Sequence, residues 1–344
     1  MKKQKIKLLI WDLDNTIWNG TLTEDNVTKL NDKVKDTILE MDKRGILMSI
    51  ASKNNFNQAW DKLEEFQLSE YFIYPAINWN PKSGNIKDII KSVNIGADTV
   101  AFVDDQAFER DEVKSELPEI LCIDRKDISS IVDMPEFMPN FITDDSKLRR
   151  QMYQSDIKRN KDENESKGPK EEFLASLNME LTLKHAEVTD LQRAEELTVR
   201  THQLNSTGYT YNYDELKNFV GTDSHKLLIG GLIDKYGTYG KIALALLTCT
   251  EEKWILDLLL TSCRVMSRGI GTVILNLIIE QAMKSGVDLF AEFVPTDKNR
   301  IMLVTYKLAG FIEAGKNGDI IILQYDKNRQ LPRRPDHIKL TIDI

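Results

Sequence analysis

Short apolar runs and amphipathic segments alternate along roughly the first 140 residues of this 344-residue chain. Apolar runs bounded by polar or glycine residues predict buried strands, and the longer segments between them predict helices. This alternation predicts an α/β domain with a parallel sheet covered by helices on both faces. The predicted strands are 6–12, 46–52, 71–76, 99–105 and 119–124, and the predicted helices are 31–44, 55–66, a segment from 82 onward and 107–116.

The second half of the chain has longer apolar runs and fewer helical segments. A glycine pair, Gly269 and Gly271, opens an apolar helix that extends to about residue 285. The pattern predicts an α+β domain with a mostly antiparallel sheet. Its predicted strands are 179–187, 225–234, 239–249, 253–263, 288–294 and 319–325, and its other helices are 189–203 and 298–309.

Between these halves, residues 143–172 are charged throughout and almost free of aliphatic side chains. Such a segment predicts a solvated helix or a linker, ending near Gly168-Pro169. The predicted domains are therefore 1–142 and 176–328, joined by a charged helical linker at 143–175 and followed by a C-terminal tail at 329–344.

Composition and charge narrow the classes of partner and location. The net charge of −8 argues against nucleic acid, and it makes an acidic protein partner dependent on local basic patches. The three cysteines include no CxxC pair, so we expect no disulfide framework or zinc site and predict a reducing, cytoplasmic location. No apolar run approaches the ~18 residues of a membrane span, and the N-terminal run is too short for a signal peptide.

Two carboxylates, Asp12 and Asp14, follow the first predicted strand directly. Alternate side chains of a strand share one side, so these two meet at the strand end. Paired carboxylates repel unless a cation lies between them, and Mg²⁺ is a fitting hard ion. One carboxylate can attack phosphorus while the other transfers a proton. Taken alone, the DxDxT pattern also fits a turn or a helix cap.

Polar residues also follow the later strands of this half. Ser52 and Lys82 can hold phosphoryl oxygens, and a carboxylate of the Asp104-Asp105 pair can complete a metal shell. The interval from Asp12 to Ser52 is 40 positions and that from Ser52 to Lys82 is 30, which leaves no room for an inserted cap domain. An uncapped site suits a substrate carried on something large, or a second domain that acts as a lid.

In the second half, backbone N–H groups at the glycine-marked helix start can bind a phosphate, or the glycines simply begin a packed helix. Cys263, at the end of the preceding strand, is a candidate acyl acceptor whose thiolate Arg264, Arg268 and the helix N-terminus would favour. The alternative is a small buried apolar residue.

A polar loop, residues 200–208, follows the predicted helix 189–203 and can form a pocket for a hydroxylated acyl group. Its candidate binding residues are Arg200, Gln203 and Asn205. His202 is the candidate base, although a histidine at a helix end is also a common cap.

Four elements of the first half, in order, resemble the motifs of the haloacid dehalogenase (HAD) superfamily: DLDNT at 12–16, Ser52, Lys82 and Asp104-Asp105. The resemblance implies a capless, HAD-type Rossmannoid parallel sheet with Asp12 as nucleophile and Asp14 as acid/base. It implies Mg²⁺ held by Asp12, by Asp14 through its backbone carbonyl, and by Asp104. The residues it implies for binding phosphate or substrate are Thr16, Ser52, Lys53, Asn54 and Lys82.

The second half resembles the GNAT acetyltransferase fold, whose pyrophosphate loop reads Q/R-x-x-G-x-G/A. Gly269 and Gly271 match that loop and, with Arg264, are the candidate phosphate-binding residues. Met266 stands where that family has Gln or Arg. A phosphopantetheine arm on a carrier protein, which has one phosphate rather than a pyrophosphate, is therefore an alternative occupant to CoA.

The combination resembles most closely the FkbH-like glyceryltransferase/phosphatases of polyketide pathways, over nearly the whole chain. The resemblance implies glyceryl transfer from D-1,3-bisphosphoglycerate to the phosphopantetheine thiol of an acyl carrier protein, with Mg²⁺-dependent dephosphorylation of the three-carbon substrate. The product implied is a glycerate-derived unit, either a methoxymalonyl-type extender or a tetronate. The stretches that carry it are WDLDNTIWNG (11–20), ASKNN (51–55), NWNPKSGNI (78–86), FVDDQAFER (102–110), LTVRTHQLNSTGYTY (197–211), YGKIALAL (239–246), LTSCRVMSRGIG (260–271) and VTYKLAGF (304–311).

The chain departs from that family at two positions. Ala51 precedes Ser52 where some members have Cys, and Gln106 follows the aspartate pair where the family usually has Asn. Two other functions stay open: a small-molecule phosphatase fused to a CoA-dependent acyltransferase, and a catalytically inactive binding module.

Overall fold

In the residues that the computed structural model describes, 5–25, 29–330 and 334–344, the strands form two separate sheets. The chain divides into two units, Met1–Gln154 and Ser155–Ile344. This division falls inside the predicted linker; the other predicted domain limits stay predictions.

The first unit contains a five-stranded parallel sheet in the order β3-β2-β1-β4-β5. Its central strand is buried along its whole length, as expected for a continuous apolar run covered on both faces. The predicted α/β class is thereby confirmed. The elements are β1 (Leu8–Trp11), α1 (Val34–Lys43), β2 (Leu47–Ser52), α2 (Phe56–Glu65), β3 (Ala76–Ile77), α3 (Lys82–Val93), β4 (Val100–Asp104), α4 (Ala107–Glu116), β5 (Leu121–Asp124) and α5 (Asp144–Lys147).

The third strand differs from its prediction. A 3-10 turn occupies Ser69–Tyr71, and β3 begins only at Ala76 instead of spanning 71–76. Pro75 has no N–H for a strand ladder, and Tyr74 has a φ of 48°, outside the range of extended backbone. The segment therefore pairs with β2 at separate points, at Phe72 with Met48 and again from Ala76, instead of as one strand.

The second unit contains an eight-stranded sheet in the order β11-β12-β10-β9-β8-β7-β6-β13. The β10–β9 and β13–β6 pairs are parallel and the others are antiparallel, which confirms the predicted mostly antiparallel α+β pattern. The elements are α6 (Arg149–Glu165), which contains the division between the units, α7 (Lys170–Ser176), β6 (Met179–His185), α8 (Leu191–Arg200), α9 (Tyr213–Lys217), β7 (His225–Asp234), β8 (Gly237–Cys249), β9 (Lys253–Thr261), α10 (Ile270–Lys284), β10 (Asp288–Phe293), α11 (Arg300–Ala309), β11 (Phe311–Asn317), β12 (Ile320–Tyr325) and β13 (Ile338–Asp343).

Two strands of this sheet were not predicted. In β11 only Phe311 is buried, so the strand lacks the alternation by which a half-buried strand is recognised. β13 lies within the predicted C-terminal tail, and it pairs in parallel with β6. β11 pairs with the next strand, β12, across a turn at Gly318, whereas the partner of β13 is distant in sequence. The residues of β13 do alternate between apolar and polar, a local strand signal that the prediction of a tail missed.

The charged segment is not simply solvated. Within the second unit, the guanidinium of Arg159 on α6 is buried with only 1% of the side chain exposed. It donates to both oxygens of Asp234, at 2.6 and 2.8 Å, and lies 3.8 Å from the ring centre of Tyr239. It also donates to Asp156 at 2.7 Å. The prediction of a solvated segment is therefore wrong for this part of α6, because a charged sequence pattern does not distinguish exposed ions from buried, paired ones.

None of the helices in the described ranges is long and apolar enough to cross a membrane.

Candidate functional site

Three carboxylates meet at the carboxyl edge of the first sheet. Asp12 follows β1, Asp104 ends β4 and Asp105 comes next, and one ligand oxygen from each lies within 4.8 Å of the others. They meet because β1 and β4 are adjacent parallel strands, so their ends share one edge. The backbone N–H of Asp12 also donates to the carbonyl oxygen of Val103, at 2.9 Å.

Lys82, the first residue of α3, supplies the positive charge at this edge. Its Nζ donates to Oδ1 of Asp12 at 2.8 Å and to Oδ2 of Asp104 at 2.6 Å, and the side chain is 4% exposed. Burial alone would lower the pKa of Lys82, but the two carboxylates outweigh it and the pKa is raised. Lys82 is therefore a charged group that faces the carboxylates, as the sequence predicts.

One ammonium does not balance three carboxylates. Burial raises the pKa of Asp12 to about 6; Lys82 lowers this pKa, and the nearby charge of Asp104 raises it. Burial also raises the pKa values of Asp104 and Asp105. Oδ1 of Asp105 is buried and has no hydrogen-bond partner among the described residues. A buried oxygen without a donor, beside two further carboxylates, fits a hard divalent cation such as Mg²⁺.

The two predicted carboxylate ligands, Asp12 and Asp104, both lie in this group, and Asp105 joins them. The carboxylate of Asp14 is held by other groups. Oδ1 of Asp14 accepts from Nε1 of Trp18 at 2.8 Å and from the N–H of Leu22 at 3.1 Å. The role of the Asp14 backbone carbonyl stays a prediction. Asp14 is thus oriented as a separate carboxylate next to the cluster, which suits proton transfer.

The other oxygen of Asp14 has a partner that was predicted to bind substrate. Nδ2 of Asn54 donates to Oδ2 of Asp14 at 3.0 Å, and it lies 3.5 Å from Oγ of Ser52. Asn54 is only 2% exposed. Its amide therefore holds Asp14, which indicates a positioning role, and substrate binding by Asn54 stays a prediction.

Two other predicted phosphate-binding residues also have internal partners. Oγ1 of Thr16 accepts from the N–H of Asp105 at 3.1 Å, which fixes the loop after β4. Nζ of Lys53 pairs with Oε1 of Glu109 at 2.7 Å. Ser52 instead faces the cluster. Its side chain forms a hydrogen bond with Asp12, and this bond lowers the pKa of the Asp12 carboxyl. Ser52 and Lys82 are therefore the members of the predicted set that lie at the carboxylates.

In the second unit, β9 and β10 pair only along the first part of each strand, where Lys253–Leu256 of β9 lie beside Asp288–Ala291 of β10. Beyond that point a segment of the polar loop, residues 204–206, lies between them. The N–H of Ser206 donates to the carbonyl oxygen of Leu259 at 2.9 Å, and the N–H of Val294 donates to that of Ser206 at 3.1 Å. The loop therefore closes the gap between two diverging parallel strands.

The amide of Asn205 is used within this loop. Its Oδ1 accepts from the N–H groups of Thr207 and Gly208, at 3.1 and 2.9 Å, and its Nδ2 donates to the carbonyl oxygen of Tyr209 at 3.2 Å. Asn205 is fully buried. Asn205 therefore shapes the loop through these contacts, and its role as a substrate-binding residue stays a prediction.

Cys263 begins a 3-10 turn after β9, and its Sγ lies 3.9 Å from Oε1 of Gln203. Burial raises the pKa of the Cys263 thiol, opposite to the expected direction. The two arginines expected to favour the thiolate are engaged elsewhere. Nη2 of Arg264 donates to the carbonyl oxygen of Tyr239 at 2.7 Å, and Nη1 of Arg268 donates to Glu163 at 2.8 Å. Cys263 stays a candidate acyl acceptor because Gln203 of the polar loop contacts it, although burial disfavours its thiolate form.

The remaining candidates of this unit are at the glycine junction and the end of α8. Gly269 has a φ of 71° and caps α10, so a side chain there would be strained, and Gly271 lies in the first turn of α10. Nε of Arg200 pairs with Glu196 at 2.8 Å, and His202 is exposed. The structure thus brings Gln203 and Cys263 together and directs Arg200 to its own helix.

No protein-family model and no curated protein matches the sequence. Solved structures do. One is the N-terminal part of protein BF1531 from Bacteroides fragilis, which contains a phosphatase domain complexed with Mg; it is 30% identical with a TM-score of 0.34, over 38% of this chain and 40% of that one. This chain therefore spans about two fifths of that structure.

Two acetyltransferases are also similar. The ribosomal-protein-S18-alanine N-acetyltransferase of Escherichia coli is 18% identical with a TM-score of 0.34, over 44% of this chain and 99% of that one. The PaiA N-acetyltransferase of Thermoplasma acidophilum, in complex with coenzyme A, is 16% identical with a TM-score of 0.35, over 42% of this chain and 98% of that one. The chain is thus similar in part to a phosphatase domain and in part to N-acetyltransferases.

Two residues of these sites were not singled out from the sequence. Asp105 was named as half of an aspartate pair, and the structure places both members of that pair in the cluster. Trp18 and Asn299 gave no such signal, since each acts through a hydrogen bond to another segment. Nδ2 of Asn299 donates to the carbonyl oxygens of Asn205 and Val294, at 3.0 and 2.9 Å.

Proposed function

We propose that the first unit hydrolyses a phosphomonoester with Asp12 as nucleophile and Mg²⁺ as cofactor. The observation that carries this proposal is the buried group of Asp12, Asp104 and Asp105 beside Lys82, with an unpartnered Asp105 oxygen among the described residues. Nucleophilic phosphoryl transfer needs a buried carboxylate next to a cation site and a second carboxylate oriented separately. Asp12 and Asp14 have this arrangement.

The steps follow from these positions. A carboxylate oxygen of Asp12 forms a bond to phosphorus while the bond from phosphorus to the substrate oxygen breaks, and Asp14 gives its proton to that oxygen. Asp14 then takes a proton from a water molecule, which attacks the phosphoryl group on Asp12 and releases phosphate. Lys82 and Ser52 bind phosphoryl oxygens during both steps. A bound Mg²⁺ supplies positive charge that favours ionised Asp12 and stabilises the phosphoryl oxygens.

We further propose that the whole chain loads a glyceryl group from D-1,3-bisphosphoglycerate onto the phosphopantetheine thiol of an acyl carrier protein. The acyl phosphate is already activated, so a thiol sulfur can attack its carbonyl carbon and displace phosphate. The thiol is that of Cys263 or that of the carrier itself. The phosphomonoester at the other end of the three-carbon unit then requires hydrolysis, which is the reaction proposed for Asp12.

Two features of the second unit weigh against free CoA as the acyl donor. The cations next to the glycine junction have other partners: Arg264 donates to the carbonyl oxygen of Tyr239, and Arg268 pairs with Glu163. Met266, which is 41% exposed, stands where a Gln or Arg would meet a pyrophosphate. The segment 204–206 takes the backbone groups between β9 and β10 that an extended ligand could otherwise pair with, which affects CoA and a carrier-bound arm alike because both contain pantetheine.

The test of this function is carrier loading. Incubation with D-1,3-bisphosphoglycerate, Mg²⁺ and a holo-acyl carrier protein is expected to add the mass of one unphosphorylated glyceryl group to the carrier, measured by intact mass spectrometry. The apo-carrier, which lacks the phosphopantetheine thiol, is the control and should gain nothing. Rapid phosphate release with no gain on the holo-carrier would contradict loading and favour a small-molecule phosphatase fused to a CoA-dependent acyltransferase.

The positioning role of Asn54 gives a second prediction. In Asn54→Ala, Asp14 loses a donor to Oδ2, so we expect kcat for phosphate release to fall by about tenfold with little change in KM, because proton transfer rather than binding is impaired. Steady-state kinetics measure both constants. Asn57→Ala, an exposed position on α2, is the matched control. A raised KM with unchanged kcat would show that Asn54 binds substrate instead.

A further inference from the structure

Helix α11 in the second unit presents an apolar strip to solvent. Ile301, Val304 and Leu308 are 40%, 47% and 68% exposed, and their spacing places them on one face. The opposite face is the buried one, with Met302, Tyr306 and Ala309 in the core. A contiguous exposed strip on a helix that is already anchored in a core is typical of an interaction surface.

Basic residues border this strip. Arg300 and Lys307 are exposed on the same side of α11, and Lys298 comes just before the helix. The sequence of α11 contains no aspartate or glutamate. Within the part of the chain that the structure describes, none of these three cations forms an ion pair. With the exposed Asp297 that precedes Lys298 included, the segment 297–308 has three cations and one carboxylate, so this face is locally positive in a chain with a net charge of −8.

We propose that this face of α11 docks the acidic surface of the acyl carrier protein, an inference that rests on the proposed function. Acidic side chains of the partner would pair with Lys298, Arg300 and Lys307, and its apolar side chains would cover the strip. Charge complementarity steers such an encounter, and the apolar contact holds it. The overall acidity of the chain makes a local basic patch necessary for this partner, and α11 supplies one.

The position of α11 connects this surface with the candidate acyl site. The helix begins after Asn299, whose amide holds the backbone of Asn205 and Ser206, at 3.0 and 3.4 Å. That backbone continues from Gln203, which lies against Cys263. A carrier bound on α11 would thus lie beside the polar loop 200–208. Its phosphopantetheine arm would then follow this loop toward Cys263.

The experiment compares binding of a fluorescently labelled holo-acyl carrier protein to the full chain and to two double variants. Val304→Glu/Leu308→Glu and Arg300→Glu/Lys307→Glu are both expected to weaken binding by about tenfold or more in fluorescence anisotropy, because each gives the face the charge of its partner. All substituted side chains are exposed, so folding should be retained. Lys35→Glu/Leu39→Glu, which makes the same kind of change on the exposed side of α1, should bind as the unsubstituted chain does.

Other outcomes separate this proposal from the proposed function. Release of phosphate from a small phosphomonoester should be unchanged in all variants, since α11 contributes nothing to the carboxylate cluster. Unchanged carrier binding in both α11 variants, or no binding by the unsubstituted chain, would overturn the docking surface whatever the loading assay shows. A change of sedimentation coefficient that accompanies the α11 substitutions would identify the face as a contact between copies of this chain, and would also overturn it.

Discussion

Phosphate release by the Asp12→Asn variant is expected to fall by about 10³-fold or more, since an amide oxygen does not serve as the nucleophile and the neighbouring carboxylates have other roles, with Asp105 assigned to the cation. The reason lies in the roles of the neighbours: Lys82 bridges Asp12 and Asp104, and Asp14 is held by Trp18, Leu22 and Asn54 in a separate position. The measurement is single-turnover phosphate release at saturating Mg²⁺.

Stability distinguishes loss of chemistry from loss of structure in this variant. Asp12→Asn removes one charge from a buried cluster whose carboxylates raise one another's pKa, and Lys82 keeps its bond to Asp104. We therefore expect a melting temperature close to that of the unsubstituted chain. Asp61→Asn, at an exposed position on α2, is the matched control and should retain full activity. Phosphate release within tenfold of the unsubstituted chain would remove Asp12 from the role of nucleophile.

Replacing Arg159 by Met is expected to lower the free energy of unfolding of the second unit by about 3–5 kcal/mol, the usual consequence of breaking a buried ion pair by removing one partner. Both side chains of the Arg159–Asp234 pair are at most 1% exposed. Without the guanidinium, Asp234 would stay buried with no counter-charge from α6. Urea denaturation followed by circular dichroism measures the loss.

Two further variants test this explanation. Lys158→Met changes an exposed cation on the same helix and should cost less than about 0.5 kcal/mol. The double variant Arg159→Met/Asp234→Leu should recover part of the loss, because it removes both charges rather than stranding one. A single Arg159→Met variant as stable as the unsubstituted chain would mean that the pair contributes little beyond what its desolvation costs.

Much of the first site could be predicted because it follows from strand ends. Asp12, Ser52, Lys82 and Asp104 each come just after or at the end of an apolar run, and parallel strands bring such positions to one edge. The strand pattern alone does not separate the roles of the carboxylates; only the resemblance assigned the acid/base role to Asp14. Whether Asp14 or Asp105 joins the cluster depends on donors such as the indole of Trp18, which reach the site from side chains outside the strand pattern.

The second site was predicted less well for a related reason. The sequence identifies a polar loop and a cysteine, but a hydrogen-bonding side chain such as Asn205 serves its own backbone as readily as a ligand. The positive charge expected around Cys263 was also misplaced, because Arg268 pairs with Glu163 of a helix more than a hundred positions earlier. Contacts at such separations leave no trace in the periodicity of either segment.

Because the segment 204–206 fills the gap between β9 and β10, a molecule that binds in this gap must first displace the segment. Four hydrogen bonds join the segment 204–206 to β9 and to Val294: from Ser206 N–H to Leu259, from Thr261 N–H to Leu204, from Val294 N–H to Ser206, and from Leu259 N–H to Oγ of Ser206. At about 1 kcal/mol each, these four bonds alone, without those from Asn299, limit the open form to roughly one in a thousand molecules. A ligand that needs the open form would show an apparent affinity about a thousandfold below its intrinsic one. The closed segment would therefore lower the affinity of any extended ligand that needs the gap, without any contact to that ligand.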